Sequence, residues 1–148
     1  MNRIARTTTG VLAAVAGSAA LAFAAAPGAS AAPVSVCPAL PGQSSSAADC
    51  TAASGPTGLS LAITLDGGMA AVAGNNFSGP AAVAIGNGAQ VNMDGVRPGL
   101  SIGIAGPGGQ VTVDGVNRVT CTDGPGFAGD FQTLTGCFND GTTQVPLG

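Results

Sequence analysis

The feature that most constrains the fold of this chain is a repeat of about twenty residues in its middle. Ala89-Gln90-Val91-Asn92-Met93-Asp94-Gly95-Val96 can be laid over Gly109-Gln110-Val111-Thr112-Val113-Asp114-Gly115-Val116, with five of the eight positions identical. The same offset relates Leu61, Ile63 and Leu65 to Ala81, Val83 and Ile85, and sets Gly68, Gly88 and Gly108 in equivalent turns. Apolar residues at every second position make one face of a β-strand, and Asn-Gly and Asp-Gly pairs supply the positive φ angles of tight turns. Each unit therefore reads as two short strands: residues 61–65 with 69–73, 81–85 with 89–93, and 100–104 with 110–113. The predicted fold class is all-β.

Two architectures fit that punctuation: sheets built from hairpins, or a short β-solenoid in which each unit is one coil, with disulfide-closed flanks as its caps. The apolar phase separates them, because Ile102 and Ile104 fall nineteen residues after Val83 and Ile85 instead of twenty. A one-residue slip turns every side chain to the opposite face unless a bulge absorbs it, which favours hairpins. On either reading the alternating Val, Ile and Leu are expected to form the core. Each would stabilise the fold by about 1.5–3 kcal/mol on burial, with the intervening Ala and Gly adding little.

Four cysteines, Cys37, Cys50, Cys121 and Cys137, are the site residues that the sequence singles out. An even count in an exported chain reads as two disulfides. Of the three possible pairings, Cys37 with Cys50 and Cys121 with Cys137 is preferred, because short loops bring their ends together at the least entropic cost. Zinc is disfavoured, since the cysteines are not closely paired and histidine is absent.

Export itself is read from residues 1–31. Arg3 and Arg6 form a positive head, residues 11–26 an apolar run of small residues, and Ala29-Ser30-Ala31 a small-x-small cleavage pattern, so the cut is placed after Ala31. The run is short for a bilayer span and no other stretch suits one. Removing 31 of the 148 residues leaves 117, enough for one domain. Residues 32–58, rich in Pro, Ser and Ala, are expected to be a loop closed by its own disulfide, and residues 59–148 a β-repeat domain with a disulfide-closed C-terminal segment. In this mature portion two arginines face seven aspartates, a formal charge of −5. Such a surface repels nucleic acid and anionic lipid, and it lacks the basic and stacking groups that nucleic-acid binding needs.

The chain contains no His, Lys, Glu, Tyr or Trp. Serine nucleophiles need a base within hydrogen-bond reach, so the usual triads and dyads cannot be assembled. Paired aspartates can do acid–base work, yet Asp66, Asp94, Asp114, Asp123 and Asp140 each precede Gly, where turn chemistry accounts for them. Asn92, Asp94, Asp114 and Asn117 offer oxygens of the kind calcium takes, without a complete calcium-loop pattern. Arg97 and Arg118, each shortly after an Asp-Gly pair, are expected to pair with nearby aspartates. No catalytic residue, metal site or cofactor is assigned.

The run Val83-Ala84-Ile85-Gly86-Asn87-Gly88-Ala89 resembles a coil from the head of trimeric autotransporter adhesins, over that coil alone. Residues 111–116, Val-Thr-Val-Asp-Gly-Val, in a four-cysteine exported domain are similar to part of the actinobacterial subtilisin-inhibitor family, without its cysteine-flanked reactive loop and with other cysteine spacings. The overall texture, an Ala-rich leader before a Gly- and Asp-rich, Lys-free domain, looks most like small secreted actinobacterial proteins with no assigned activity. The expected function is that of a non-catalytic structural or interaction protein at the cell surface or outside the cell, with an unknown protein or a cell-envelope component as its partner. A secreted binder or inhibitor of an extracellular enzyme is the first alternative, and an Asp-dependent hydrolase the second.

Overall fold

The computed structural model describes residues 32–95 and 98–148; the expected leader, residues 1–31, and Arg97 lie outside the described residues. Thirteen strands are formed: β1 Val34–Ala39, β2 Ser44–Ser46, β3 Cys50–Ser54, β4 Ser60–Leu65, β5 Met69–Gly74, β6 Ser78–Ile85, β7 Gln90–Gly95, β8 Gly99–Ala105, β9 Gln110–Val113, β10 Thr120–Thr122, β11 Pro125–Asp130, β12 Thr135–Asp140 and β13 Gln144–Leu147. They lie in two sheets. A seven-stranded sheet runs β1-β4-β6-β8-β11-β12-β13, and a six-stranded sheet runs β10-β9-β7-β5-β3-β2.

The two strands of each repeat unit do not pair with one another. β4, β6 and β8 are parallel neighbours in one sheet, while β3, β5, β7 and β9 are parallel neighbours in the other. Consecutive strands therefore alternate between layers, and each turn of chain lays one strand on each sheet: β3 with β4, β5 with β6, β7 with β8. This is a β-solenoid, the second of the two architectures expected, and the hairpin arrangement is confined to the flanks. The slip that argued for hairpins is absorbed locally. Leu61 pairs with Ala81 at an offset of twenty, but Ala81 pairs with Ile102 at twenty-one. The extra residue enters at Gly86 (φ 89°), just before a turn whose central residues, Asn87 and Gly88, stack on Pro107 and Gly108 of the next coil. A Cβ at Gly86 would meet the Pro107 ring at 2.7 Å, so only glycine makes this bulge without a clash. Equivalent turn glycines are consequently Gly67, Gly88 and Gly108, not the evenly spaced set that starts at Gly68.

The space between the sheets is filled by small side chains. The seven-stranded sheet turns Ala62, Thr64, Ala82, Ala84, Gly103, Ala105 and Ala128 inward, and the six-stranded sheet contributes Ala52, Ala70, Val72, Val91, Met93, Val111 and Val113. Buried hydroxyls at the coil corners are satisfied: Ser60 Oγ donates to the Ala53 carbonyl at 2.7 Å and Ser78 Oγ to the Asn75 carbonyl at 2.6 Å. The thinness is clearest at Gly103, where an added Cβ would lie 2.9 Å from Val91 Cγ1, 3.1 Å from Val111 Cγ1 and 3.3 Å from Met93 Sδ. The expected core is thereby corrected. Leu61, Ile63, Leu65, Val83, Ile85, Ile102 and Ile104 alternate with those inward residues and lie on the outer side of their sheet. Alternation defines two faces but not which one is inside; the seven-stranded sheet turns its smaller set inward, whereas Val91, Val111 and Val113 of the other sheet are buried as expected.

Residues 32–58, expected as a loop, supply β1, β2 and β3 and so start both sheets. Pro38 is tolerated because β1 is an edge strand, antiparallel to β4. At the other end, antiparallel β11 closes the β4-β6-β8 ladder and antiparallel β10 closes the β9 side. Both disulfides form with the expected pairing, Cys37–Cys50 with Cα atoms 6.0 Å apart and Cys121–Cys137 at 5.7 Å. Each joins one sheet to the other: β1 to β3 at the first end, and β10 to β12 at the second. Breaking either bridge is expected to cost about 3 kcal/mol from its short loop and to lower the melting temperature by on the order of 10 °C, measurable by calorimetry with and without reductant. Gly103→Val should destabilise by about 2–3 kcal/mol through overpacking, whereas Ile104→Thr, on the outer face, should stay within about 1 kcal/mol in urea titrations.

Candidate interaction surface

Register lines the outward residues of the seven-stranded sheet into rows. Val36 pairs with Ile63, Ile63 with Val83, Val83 with Ile104, Ile104 with Phe127, Phe127 with Phe138, and Phe138 with Val145. One uninterrupted apolar row thus crosses all seven strands. Beside it lie Val34, Leu65 and Ile85 on one side and Leu61, Ile102 and Leu147 on the other. Phe127 is 38 %, Phe138 45 % and Val36 53 % exposed. The remaining described phenylalanines, Phe77 and Phe131, are also exposed, so no described aromatic ring is used in the core.

Such an arrangement is unusual for a sheet, whose larger apolar side chains ordinarily pack inward while polar ones meet water. The face has a depression. Gly129 and Gly136, paired across β11 and β12, carry no side chain, and Phe127, Phe131, Leu134 and Leu147 stand around the floor they leave, enclosing about 240 Å³.

The opposite side of the molecule has a different chemistry. Across the six-stranded sheet the corresponding outward row reads Ser46, Thr51, Ala71, Asn92, Thr112 and Thr120, all exposed. The two layers therefore form a slab that is apolar on one broad face and small and polar on the other.

The aspartates are distributed around this slab. Asp66 and Asp123 sit in turns with positive φ, at 51° and 65°. Asp114 accepts from the Asn117 side chain and from the backbone N–H groups of Asn117 and Val116, and those bonds, the Asn117 side chain foremost, hold its carboxyl below the usual range. Asp140 is lowered likewise by the Thr143 N–H, the Thr142 hydroxyl and the Thr142 N–H. Asp130 points inward and accepts from the Gln132 N–H at 2.9 Å. It shares a recess of about 10 Å³ with Asp94, room for about one water molecule. Asn92 and Asp94 lie on the outer side of the six-stranded sheet, and Asp114, which follows Val113 where that residue pairs with Met93, binds Asn117 in a turn. Among the described residues no group of three or more His, Cys, Asp or Glu side chains converges. Arg118 does not meet an aspartate as expected; its Nη2 donates to the Gly148 carbonyl at 3.3 Å.

All four cysteines singled out in the sequence are structural, and sequence reasoning missed the apolar face. The available signal was the residue size along β4, β6 and β8, where Leu, Ile and Val alternate with Ala, Ser and Gly instead of with charged residues. Among the described residues no helix is long and apolar enough to cross a membrane. Comparison of the chain with protein-family models, with curated proteins and with solved structures finds no match.

Asp114 and Asp140 supply a pH prediction. Because both are lowered in the folded state, the stability they contribute is present above the ordinary carboxylate pKa near 4 and is lost as pH falls through their folded values. With no histidine and all cysteines bridged, the melting temperature should be nearly flat between about pH 5.5 and 8 and should decline below about pH 4.

Proposed function

We propose that this chain is an exported, non-catalytic interaction protein and that its contact surface is the outer face of the seven-stranded sheet. One observation carries the reading: the large branched and aromatic side chains of that sheet point away from a core built of smaller residues. Contiguous apolar area exposed to water lowers solubility, and patches of this kind mark sites where another surface docks.

Export is supported by the leader-like pattern of residues 1–31 and by two disulfides, which persist in oxidising compartments. The absence of His, Lys, Glu and Tyr removes most groups that carry protons in catalysis, and turn or strand positions account for the acidic side chains that remain. A rigid, cross-linked slab suits presentation of a surface, since little conformational entropy is lost when it docks.

A photo-reactive side chain introduced at Ile104 of the apolar row is expected to label a macromolecule in the medium or envelope of the producing cell. The same group at Thr112, on the opposite sheet, should label none. Equal labelling from both positions, or none from Ile104, would remove the apolar face as the contact surface.

A further inference from the structure

Building on that reading of the face, we propose that its occupant is a second copy of the same chain, the two seven-stranded sheets packing face to face about a two-fold axis.

Size is the first argument. Seven strands spaced about 4.8 Å apart, with three outward residues on each central strand, make a surface of about 29 Å by 20 Å. That is roughly 600 Å² per copy, at the top of what monomers leave exposed, and two such faces together pass the roughly 1,000 Å² that a specific interface needs. Charge is the second argument. The row from Val36 to Val145 contains no ionisable residue; Asp66 after β4 and Asp140 at the end of β12 lie at the margin, and Asp130, beside the recess on β11, is buried and accepts from the Gln132 N–H. The uncharged central rows of two like faces can meet directly, with Asp66 and Asp140 left at the solvated edge of the contact, whereas an acidic chain offers nothing to attract an anionic bilayer.

Shape is the third. β8 is the central strand of the seven. With the axis along β8, the recess over Gly129 and Gly136 in β11 and β12 lies opposite β6 and β4 of the second copy, at the level of its Leu61, which shares a register row with Ala81 and Ile102. A branched aliphatic side chain entering a glycine-floored pocket walled by Phe127, Phe131, Leu134 and Leu147 is the anchor-and-pocket arrangement that concentrates binding energy. The symmetry fills both recesses at once.

Sedimentation of the disulfide-intact chain from micromolar to hundreds of micromolar tests this. The wild type is expected to form a dimer, strengthened by added salt as repulsion between acidic copies is screened. Ile104→Asp should weaken the dimer roughly 100-fold or more by burying an unpaired charge. Gly129→Leu should weaken it by filling the recess from within; that position is open enough to keep the fold, since an added Cβ meets only Phe127 Cζ at 4.0 Å. Thr112→Asp should leave it unchanged, and circular dichroism should show all three variants folded. A wild type that stays monomeric, or a dimer indifferent to both face variants, would overturn the pairing. Flotation of a monomeric chain with neutral phosphatidylcholine vesicles, lost in Ile104→Asp, would identify a lipid occupant and equally overturn it. A monomer that still gives position-specific labelling from Ile104 sinks the pairing but keeps the face as a contact surface; a monomer with no labelling sinks both.

Discussion

Two parallel ladders wound from one chain set everything else in this molecule. Main-chain hydrogen bonds along β4-β6-β8 and β3-β5-β7-β9 fix the spacing of coils along the solenoid, leaving the separation of the two sheets as the dimension that side chains decide. Inward alanines, glycines, serines and threonines from one sheet let the layers approach until Val91, Val111 and Met93 fill the gap over Gly103. Small side chains remove little apolar area from water, so this interior is a modest source of stability for its length. Cooperative strand ladders and the cross-sheet disulfides at both ends, Cys37–Cys50 and Cys121–Cys137, supply what a larger core would otherwise provide.

The same thinness has a consequence outside. Strand geometry sends successive side chains to opposite faces, so every small inward residue of β4, β6 and β8 is flanked by outward ones, and in this chain those are Leu, Ile and Val except at Gly79 and Ala81 of β6. The antiparallel strands β11, β12 and β13 extend the row with Phe127, Phe138 and Val145 instead of ending it. Hydroxyl and amide side chains and one alanine occupy the equivalent row of the other sheet, which makes the asymmetry a property of the sheet rather than of composition as a whole. A surface so divided, on a frame closed at both ends, is what the proposed recognition role rests on; the described acids Asp114 and Asp140 cap turns and Asp130 ends a strand.

Much of the fold could be read directly. Alternating residues between Gly-containing turns gave the strands of the middle units to within one to three residues at each end, and loop entropy alone ranked the disulfide pairing correctly. Pairing partners were less accessible, because the offset between Val83 and Ile102 mimics a broken period; only the strand registers reveal that Gly86 adds a residue outside the strand and restores the phase. The segment carrying Cys37 and Cys50 looked irregular since its Ala, Ser and Pro have weak strand preference, and its strands exist because β4 and β5 offer them edges.

Taken alone, the amino-acid sequence determined that this is an all-β chain of short repeating units held by two local disulfides, and that it lacks most side chains able to move protons. Those properties follow from residue type and spacing, which are local. Tertiary structure alone decided that successive strands of the repeat belong to different sheets and that the larger apolar set faces outward on the seven-stranded sheet and inward on the six-stranded one. The reason is physical: a period of two specifies two faces of equal standing, and which one is buried depends on how closely two sheets can approach, a quantity shared by residues far apart in the chain.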